Sequence, residues 1–270
     1  MLAVRNLTLM RPLVLSWPRM AVRASPAAKT RRPKSQRPLS PARIIELLDA
    51  EYGTVPWRPH GEPVAELVLT LLSQNTSDAN SGRAFIRLLD AFPDWPSLLD
   101  ADVKKIEEAI QPGGLAPTKA PRLQAMLREV WSRCAQAGAR PGGSLDLSFL
   151  REWPLEEARA WLRSLPGVGP KTAACVLLFS LGRPALPVDT HVHRVAKRLG
   201  LVPGKSTAEQ AHELLEPMLT PEQVYPFHIQ LIKHGRRTCA AQRPKCPACP
   251  LRVDCPSASL FYPENREPKT

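Results

Sequence analysis

Leu165-Pro166-Gly167-Val168-Gly169-Pro170-Lys171 is the stretch that decides how this chain is built. Before it, Leu155, Ala158, Trp161 and Leu162 are apolar at helical spacing, and the pattern stops at Pro166. After it, Lys171–Leu181 is helical again, with Ala173, Ala174, Val176, Leu177 and Leu178 on much of its surface. Two helices joined by so few residues must reverse sharply. Gly167 and Gly169 permit positive φ and let another backbone come close. Pro170 suits the first helical position, where its missing N–H is not needed. The spacing predicts a helix–hairpin–helix in which Gly167, Val168 and Gly169 offer backbone to a phosphate at a helix N-terminus. A nucleotide-binding P-loop is excluded, because G-x-x-x-x-G-K-[ST] needs glycine where Leu165 and Pro170 stand.

Taken alone, such a turn could simply join two core helices and leave Lys171 solvated. A lysine in the first turn, however, opposes the helix dipole, and the same field favours a neutral, nucleophilic amine. Eighteen residues after it comes Asp189, in Leu186-Pro187-Val188-Asp189-Thr190-His191, just before an apolar stripe of Val192, Val195, Ala196 and Leu199. Asp189 suits the N-cap of that helix. Capping and catalysis are compatible, since a capped carboxylate is held rigidly.

Cys239, Cys246, Cys249 and Cys255 form a C-x6-C-x2-C-x5-C run near the C-terminal end. Four thiolates so close together can bind an iron–sulfur cluster or zinc, or pair as disulfides. Zinc ribbons usually separate two C-x2–4-C pairs by a long loop, whereas here one C-x2-C is flanked by single cysteines, which favours a cluster. Arg243 and Lys245 lie between the first two and could reach phosphates or be solvated loop charges. Cys134 and Cys175 lie outside the run, and Cys175 reads as a small buried residue. Among the histidines only His191 is placed by a motif; His193, His212, His228 and His234 read as structural or exposed. Trp131, Trp153 and Trp161 read as core.

Elsewhere the chain reads as helix after helix. Ile44, Leu47 and Leu48 start the pattern; Val64, Leu67, Val68 and Leu71 repeat it, as do Leu123, Met126, Leu127, Val130 and Trp131. Pro- and Gly-rich breaks fall at 111–114, 138–144, 166–170 and 183–187. No sustained alternation of period two occurs, so the fold class is all-α.

The 270 residues suffice for one large or two modest domains, and a formal charge of +12 favours an anionic partner. Residues 1–38 hold nine Lys or Arg and no acid, which leaves +3 for the rest. Basicity is therefore weak testimony that the folded part binds nucleic acid. No apolar run approaches the ~18–20 residues a membrane helix needs. The Arg-rich segment 1–39 is expected to be a disordered arm or a mis-assigned start upstream of Met20, in a cytoplasmic, nucleoid-associated protein. An organellar transit peptide would look similar and would imply a mitochondrial or nuclear one.

The ordered set L-P-G-V-G-x-K-T-A, V-D-T-H-V-x-R-V and C-x6-C-x2-C-x5-C resembles endonuclease III, the bifunctional helix–hairpin–helix DNA glycosylase/lyase family, over roughly 40–256. The resemblance implies a six-helix barrel at 57–184 and a second domain, 40–56 with 185–256, holding a [4Fe–4S] cluster on the four cysteines. It implies a DNA cleft between the two, with a tail after 256. Lys171 falls on the family's catalytic lysine, Asp189 on its catalytic aspartate, and His191 follows as in the family. Leu72-Ser73-Gln74-Asn75-Thr76 resembles the segment that enters the gap left by a flipped base, with Asn75 the aligned wedge and Gln74 the alternative. Many members carry Ala-Gln-Ala there. Leu115 aligns with the leucine that packs on the orphaned base, although Ala116 follows where an aromatic is common. The chain reads as longer than the family around 135–153. The implied activity is that of a monomer on damaged double-stranded DNA, removing thymine glycol and related oxidised pyrimidines and cutting 3′ to the site through a lysine Schiff base. A monofunctional adenine or mismatch glycosylase and a non-catalytic DNA-binding module are the alternatives; Lys171 argues against the first, and the joint presence of Lys171, Asp189 and the four cysteines against the second.

Overall fold

The structure, a computed structural model, describes residues 39–136 and 145–262. The arm expected over 1–39, all but its last residue, lies outside them, as do part of the long 135–153 segment and the end of the tail. Among the described residues every regular element is helical and there is no strand. The chain divides into two compact units, one of them Pro59–Arg183 and the other 39–58 together with 184–262.

The first unit holds α2 (Pro63–Leu72), α3 (Asp78–Ala91), α4 (Val103–Ile110), α5 (Ala116–Gln136), α6 (Leu155–Arg163) and α7 (Pro170–Cys175). Its centre is α2, where Val64, Ala65, Leu67, Val68, Leu71 and Leu72 are all buried. A helix apolar on every side has to be surrounded, and α3, α5 and α7 pack on it. The flanking helices are started by local chemistry: Ser77 caps α3 and Asp102 caps α4 with side-chain oxygens on backbone N–H groups. The helix expected over 171–181 is α-helical only to Cys175, then widens into a π turn over Val176–Ser180 that ends with Leu181 N–H on Val176 O at 3.1 Å.

Trp131, Trp153 and Trp161 are half-buried, not core. Trp153 and Trp161 both meet Phe149 edge-on, at 5.3 and 5.6 Å between centroids. These large rings lie at the margin of the core, part against apolar neighbours and part in water. Among the described residues the buried tryptophan is Trp95, 8% exposed, whose indole N–H reaches Glu62.

The second unit holds α1 (Pro41–Tyr52), α8 (Thr190–Arg198), α9 (Ala208–Leu215), α10 (Pro221–Arg237) and the short α11 (Ala258–Phe261). Capping boxes start α9 at Thr207/Gln210 and α10 at Thr220/Gln223. Helix α10 packs against α1 and α8, which joins residues far apart in sequence. Gln230, fully buried on α10, donates to Gly53 O at 2.8 Å and to the Asp49 carboxylate at the end of α1. No helix among the described residues is long and apolar enough to cross a membrane.

Replacing Gln230 with leucine removes both bonds, and their acceptors on exposed Gly53 and half-buried Asp49 turn to water. The expected loss is about 1–3 kcal/mol, read as a lower urea midpoint with an unchanged slope.

Candidate active site

The hairpin is built by a turn that closes with Val168 N–H on Leu165 O at 3.2 Å, while the Val168 side chain, 6% exposed, plugs the fold beneath it. Gly167 takes φ +78°, a conformation that L side chains rarely adopt. Gly169 differs from expectation. Its backbone is extended, with φ −92° and ψ −179°, because it serves as the N-cap of α7. A Cβ there would meet no atom of the protein within 4 Å. The missing side chain thus serves neither strain nor internal packing, and leaves the N-terminus of α7 open to a group from outside.

Lys171 is the second residue of α7 and half-buried. Glu66, on α2, is 9% exposed and accepts a hydrogen bond from Thr70 Oγ1 at 3.2 Å. Burial pushes its carboxyl up to about 7, against the Thr70 bond and the positive charge of Lys171, which pull it down. The α2–α7 packing therefore brings a carboxyl that titrates near neutrality within electrostatic reach of the lysine.

Two further segments of this unit hold residues in the left-handed region. Asn75, exposed in the loop after α2, has φ +54°, and Leu115, 54% exposed just before α5, has φ +54° as well. Gln74 beside Asn75 is half-buried. Below both loops lies Lys119, whose ammonium donates to Leu72 O at 2.7 Å and Gly113 O at 2.9 Å.

In the second unit Asp189 caps α8, its Oδ1 accepting Val192 N–H at 2.7 Å. His191 follows in the first turn, with its Nδ1 3.0 Å from an Arg194 nitrogen that also donates to Gly235 O at 2.9 Å. A Cβ on Gly235 would crowd that contact, at 3.0 Å from His191 Cβ and 3.1 Å from the Arg194 guanidinium.

Cys239, Cys246, Cys249 and Cys255 line one cavity together with Val195, Leu199, His234 and Phe261. None is in a disulfide. No three His, Cys, Asp or Glu side chains among the described residues converge on a single ion. Four thiols around a cavity suit a larger sulfur-ligated group better than one zinc ion, which draws its ligands in to ~2.3 Å. Burial raises the Cys249 thiol to about 12 and pushes Cys246 and Cys255 up too. A bound cation would favour the thiolate form against this burial. Hydrogen-bond partners for the sulfurs are in place: Arg198 donates to Cys239 Sγ at 3.2 Å, and His234 Nε2 stands 3.5 Å from Cys249 Sγ. Burial lowers the His234 imidazole to about 4, and its Nδ1 lies 3.0 Å from the Tyr52 hydroxyl. Between the first two cysteines, Arg243 and Lys245 are both exposed, and Arg243 also has a positive φ, +49°.

These features define an all-helical protein with an open helix–hairpin–helix and a four-cysteine loop. The chain belongs to the HhH-GPD superfamily of base excision DNA repair proteins, whose model matches residues 68–221, and within it the chain is endonuclease III-like. It is 34% identical over 194 residues to endonuclease III of Thermotoga maritima, covering 72% of this chain and 83% of that one. The DNA glycosylase candidate At3g47830 of Arabidopsis thaliana is 37% identical over 199 residues, 74% of this chain and 62% of its own length. The chain spans less still of longer plant relatives, down to 9%. A solved endonuclease III–DNA complex superposes with a TM-score of 0.66 at 27% identity, covering 82% of this chain and 98% of that one.

Sequence reasoning missed Glu66, Lys119, Arg198 and His234 as members of these sites. A carboxylate in the middle of an apolar helix was a usable signal for Glu66. Nothing in the sequence marks which distant carbonyl or sulfur the other three meet.

The Glu66 carboxyl titrates near 4.5 unfolded and about 7 folded. Between those values the folded state holds the proton that the unfolded state has lost, so stability falls as pH rises through this window. Glu66→Gln removes that slope. The variant should match the parent near pH 4.5 and gain up to about 3 kcal/mol on it above pH 7, measured by urea unfolding across pH.

Proposed function

We propose that this chain is a bifunctional DNA glycosylase and abasic-site lyase acting on double-stranded DNA. The observation that carries this reading is Lys171, a lysine in the first turn after an open hairpin, in a chain of the HhH-GPD superfamily. A binding module has no need of an amine there, where it opposes the helix dipole.

The target is a sugar carbon hidden in the duplex, so the damaged nucleotide has to leave the stack, which costs least for saturated, poorly stacking bases. Thymine glycol and related oxidised pyrimidines are the substrate class we assign. The hairpin amides, with Gly167, Val168 and Gly169, would hold a backbone phosphate, and Arg243 and Lys245 would contact others. The free amine of Lys171 attacks C1′ and the base leaves with the electrons of the glycosidic bond. The aminal so formed loses a proton from nitrogen and opens its C1′–O4′ bond, with O4′ taking up a proton, and the Schiff base that results acidifies the C2′ hydrogen. Loss of that proton expels the 3′ phosphate, which breaks the strand 3′ to the lesion. Asp189, held by its cap to α8, assists removal of the ammonium proton and offsets positive charge developing at the sugar. Asn75, with Gln74 beside it, and Leu115 would fill the space left in the stack. His191 sits next to the aspartate as a further DNA contact.

The four cysteines would hold a [4Fe–4S] cluster in the unit formed by 40–56 and 185–256. When bound, it supplies a rigid crosslink that fixes the loop carrying Arg243 and Lys245. Arg198 and His234 satisfy ligand sulfurs and exclude water from them.

Borohydride trapping on thymine glycol duplexes tests this reading. The parent protein should form a covalent adduct, and Lys171→Ala should lose it by on the order of 1,000-fold or more. The variant should keep its duplex affinity within about threefold, because phosphate contacts are spread over many groups. Base release without an adduct would point instead to a monofunctional glycosylase, and neither product to a binding module.

A further inference from the structure

Lys119 is the least expected ion in the molecule. It is 4% exposed, and among the described residues it has no carboxylate partner. Its ammonium is held by two main-chain oxygens, Leu72 O at 2.7 Å and Gly113 O at 2.9 Å, and burial lowers its affinity for the proton. Taking a lone ammonium out of water is costly even after relaxation. A neutral donor would satisfy two carbonyls at lower cost, so the position calls for the charge or for the length and two-way reach of a lysine.

The two carbonyls share a place in the chain, each a few residues ahead of a left-handed side chain. Leu72 ends α2, and three residues on stands Asn75 at positive φ; Gly113 ends a 3-10 turn, and two residues on stands Leu115 at positive φ. Lys119 also takes the Leu115 carbonyl with its own backbone N–H at 2.9 Å. The second loop has little room to retreat, because a Cβ on Gly113 would stand 3.0 Å from Ala84 Cβ of α3. One residue thus touches the base of both loops, and each loop carries a side chain in the left-handed region, which asparagine tolerates and leucine rarely adopts.

We propose that Lys119 is a positioning residue that locks the two loops into a single wedge, so that Asn75 and Leu115 enter the base stack together. It acts on opening of the duplex and leaves the bond-breaking steps to other groups. This rests on the reading of Asn75 and Leu115 as duplex-inserting residues, and the test separates the two ideas.

Lys119→Met, Lys119→Arg, Leu115→Ala, Asn75→Ala and the double variant of Lys119→Met with Leu115→Ala are compared as cluster-loaded proteins. Single-turnover excision of thymine glycol is measured in a fully paired duplex and in one where the lesion faces a gap and is already unstacked. Fluorescence of 2-aminopurine opposite the lesion reports disruption of the stack directly. Lys119→Met should slow excision from the paired duplex on the order of 10- to 100-fold, stay within about threefold on the gapped one, and lose the fluorescence rise. Its effect should not add to that of Leu115→Ala. Lys119→Arg, which keeps the charge and two-way donation, should retain most of the paired-duplex rate, and it carries the comparison if the methionine variant does not fold. Normal behaviour of both Leu115→Ala and Asn75→Ala would overturn the wedge reading itself. Impaired Leu115→Ala and Asn75→Ala beside normal or additive Lys119→Met, or equal losses on the two duplexes, would overturn the role of Lys119 alone.

Discussion

Helices end, and each ending leaves carbonyl oxygens without an intrahelical donor. In a chain of short helices broken by thirty prolines, that shortage recurs every dozen residues or so, and the way it is met organises the molecule. Long side chains reach inward and donate to main-chain oxygens of distant segments. Gln124 holds Leu98 O and Ala101 O, and Arg128 holds Leu99 O. Arg183 gathers Arg151 O and Trp153 O at 2.6 and 2.7 Å. In the other unit Arg194 holds Gly235 O and Cys239 O, and Arg198 holds Ala240 O and Ala241 O. A buried unpaired carbonyl costs more than the bond that satisfies it returns, so these donors fix the positions of loops that have no regular structure of their own.

The same constraint explains what the sequence disclosed and what it withheld. Hydrophobic spacing announced helices, glycine and proline announced the hairpin, and Asp189 announced a cap, because each of these signals acts within a few residues of itself. The four cysteines were legible for the same reason. Lys119, Arg194, Arg198 and His234 were not, because their partners lie 6 to 47 residues away along the chain and obey no period. The two hairpin glycines show the limit of residue-type reasoning: identical in the sequence, one is favoured by its φ, while the other has an extended backbone and open space beside it. The tryptophans erred in the opposite direction, since apolar periodicity gives the face of a helix but not how deep the partner lies.

Charge tells a related story. Several of the arginines outside the first 38 residues are engaged with carbonyls or with aromatic faces, as Arg198 is with Phe261 at 4.3 Å. Formal net charge therefore describes the chain better than it describes the surface that nucleic acid would meet. For this family of folds, affinity for a polyanion is better argued from exposed backbone amides and a few placed cations than from a sum.

Asn75, Leu115 and Arg243 are the non-glycine residues among those described that sit at positive φ. A designer seeking heat resistance would replace all three with glycine at once, and the folded protein would relax. Yet a glycine has nothing to insert between bases and no charge to set against a phosphate. Stability screens run without DNA would thus reward removal of the very side chains we assign to the duplex, and on that assignment selection for endurance and selection for work would pull these three positions in opposite directions.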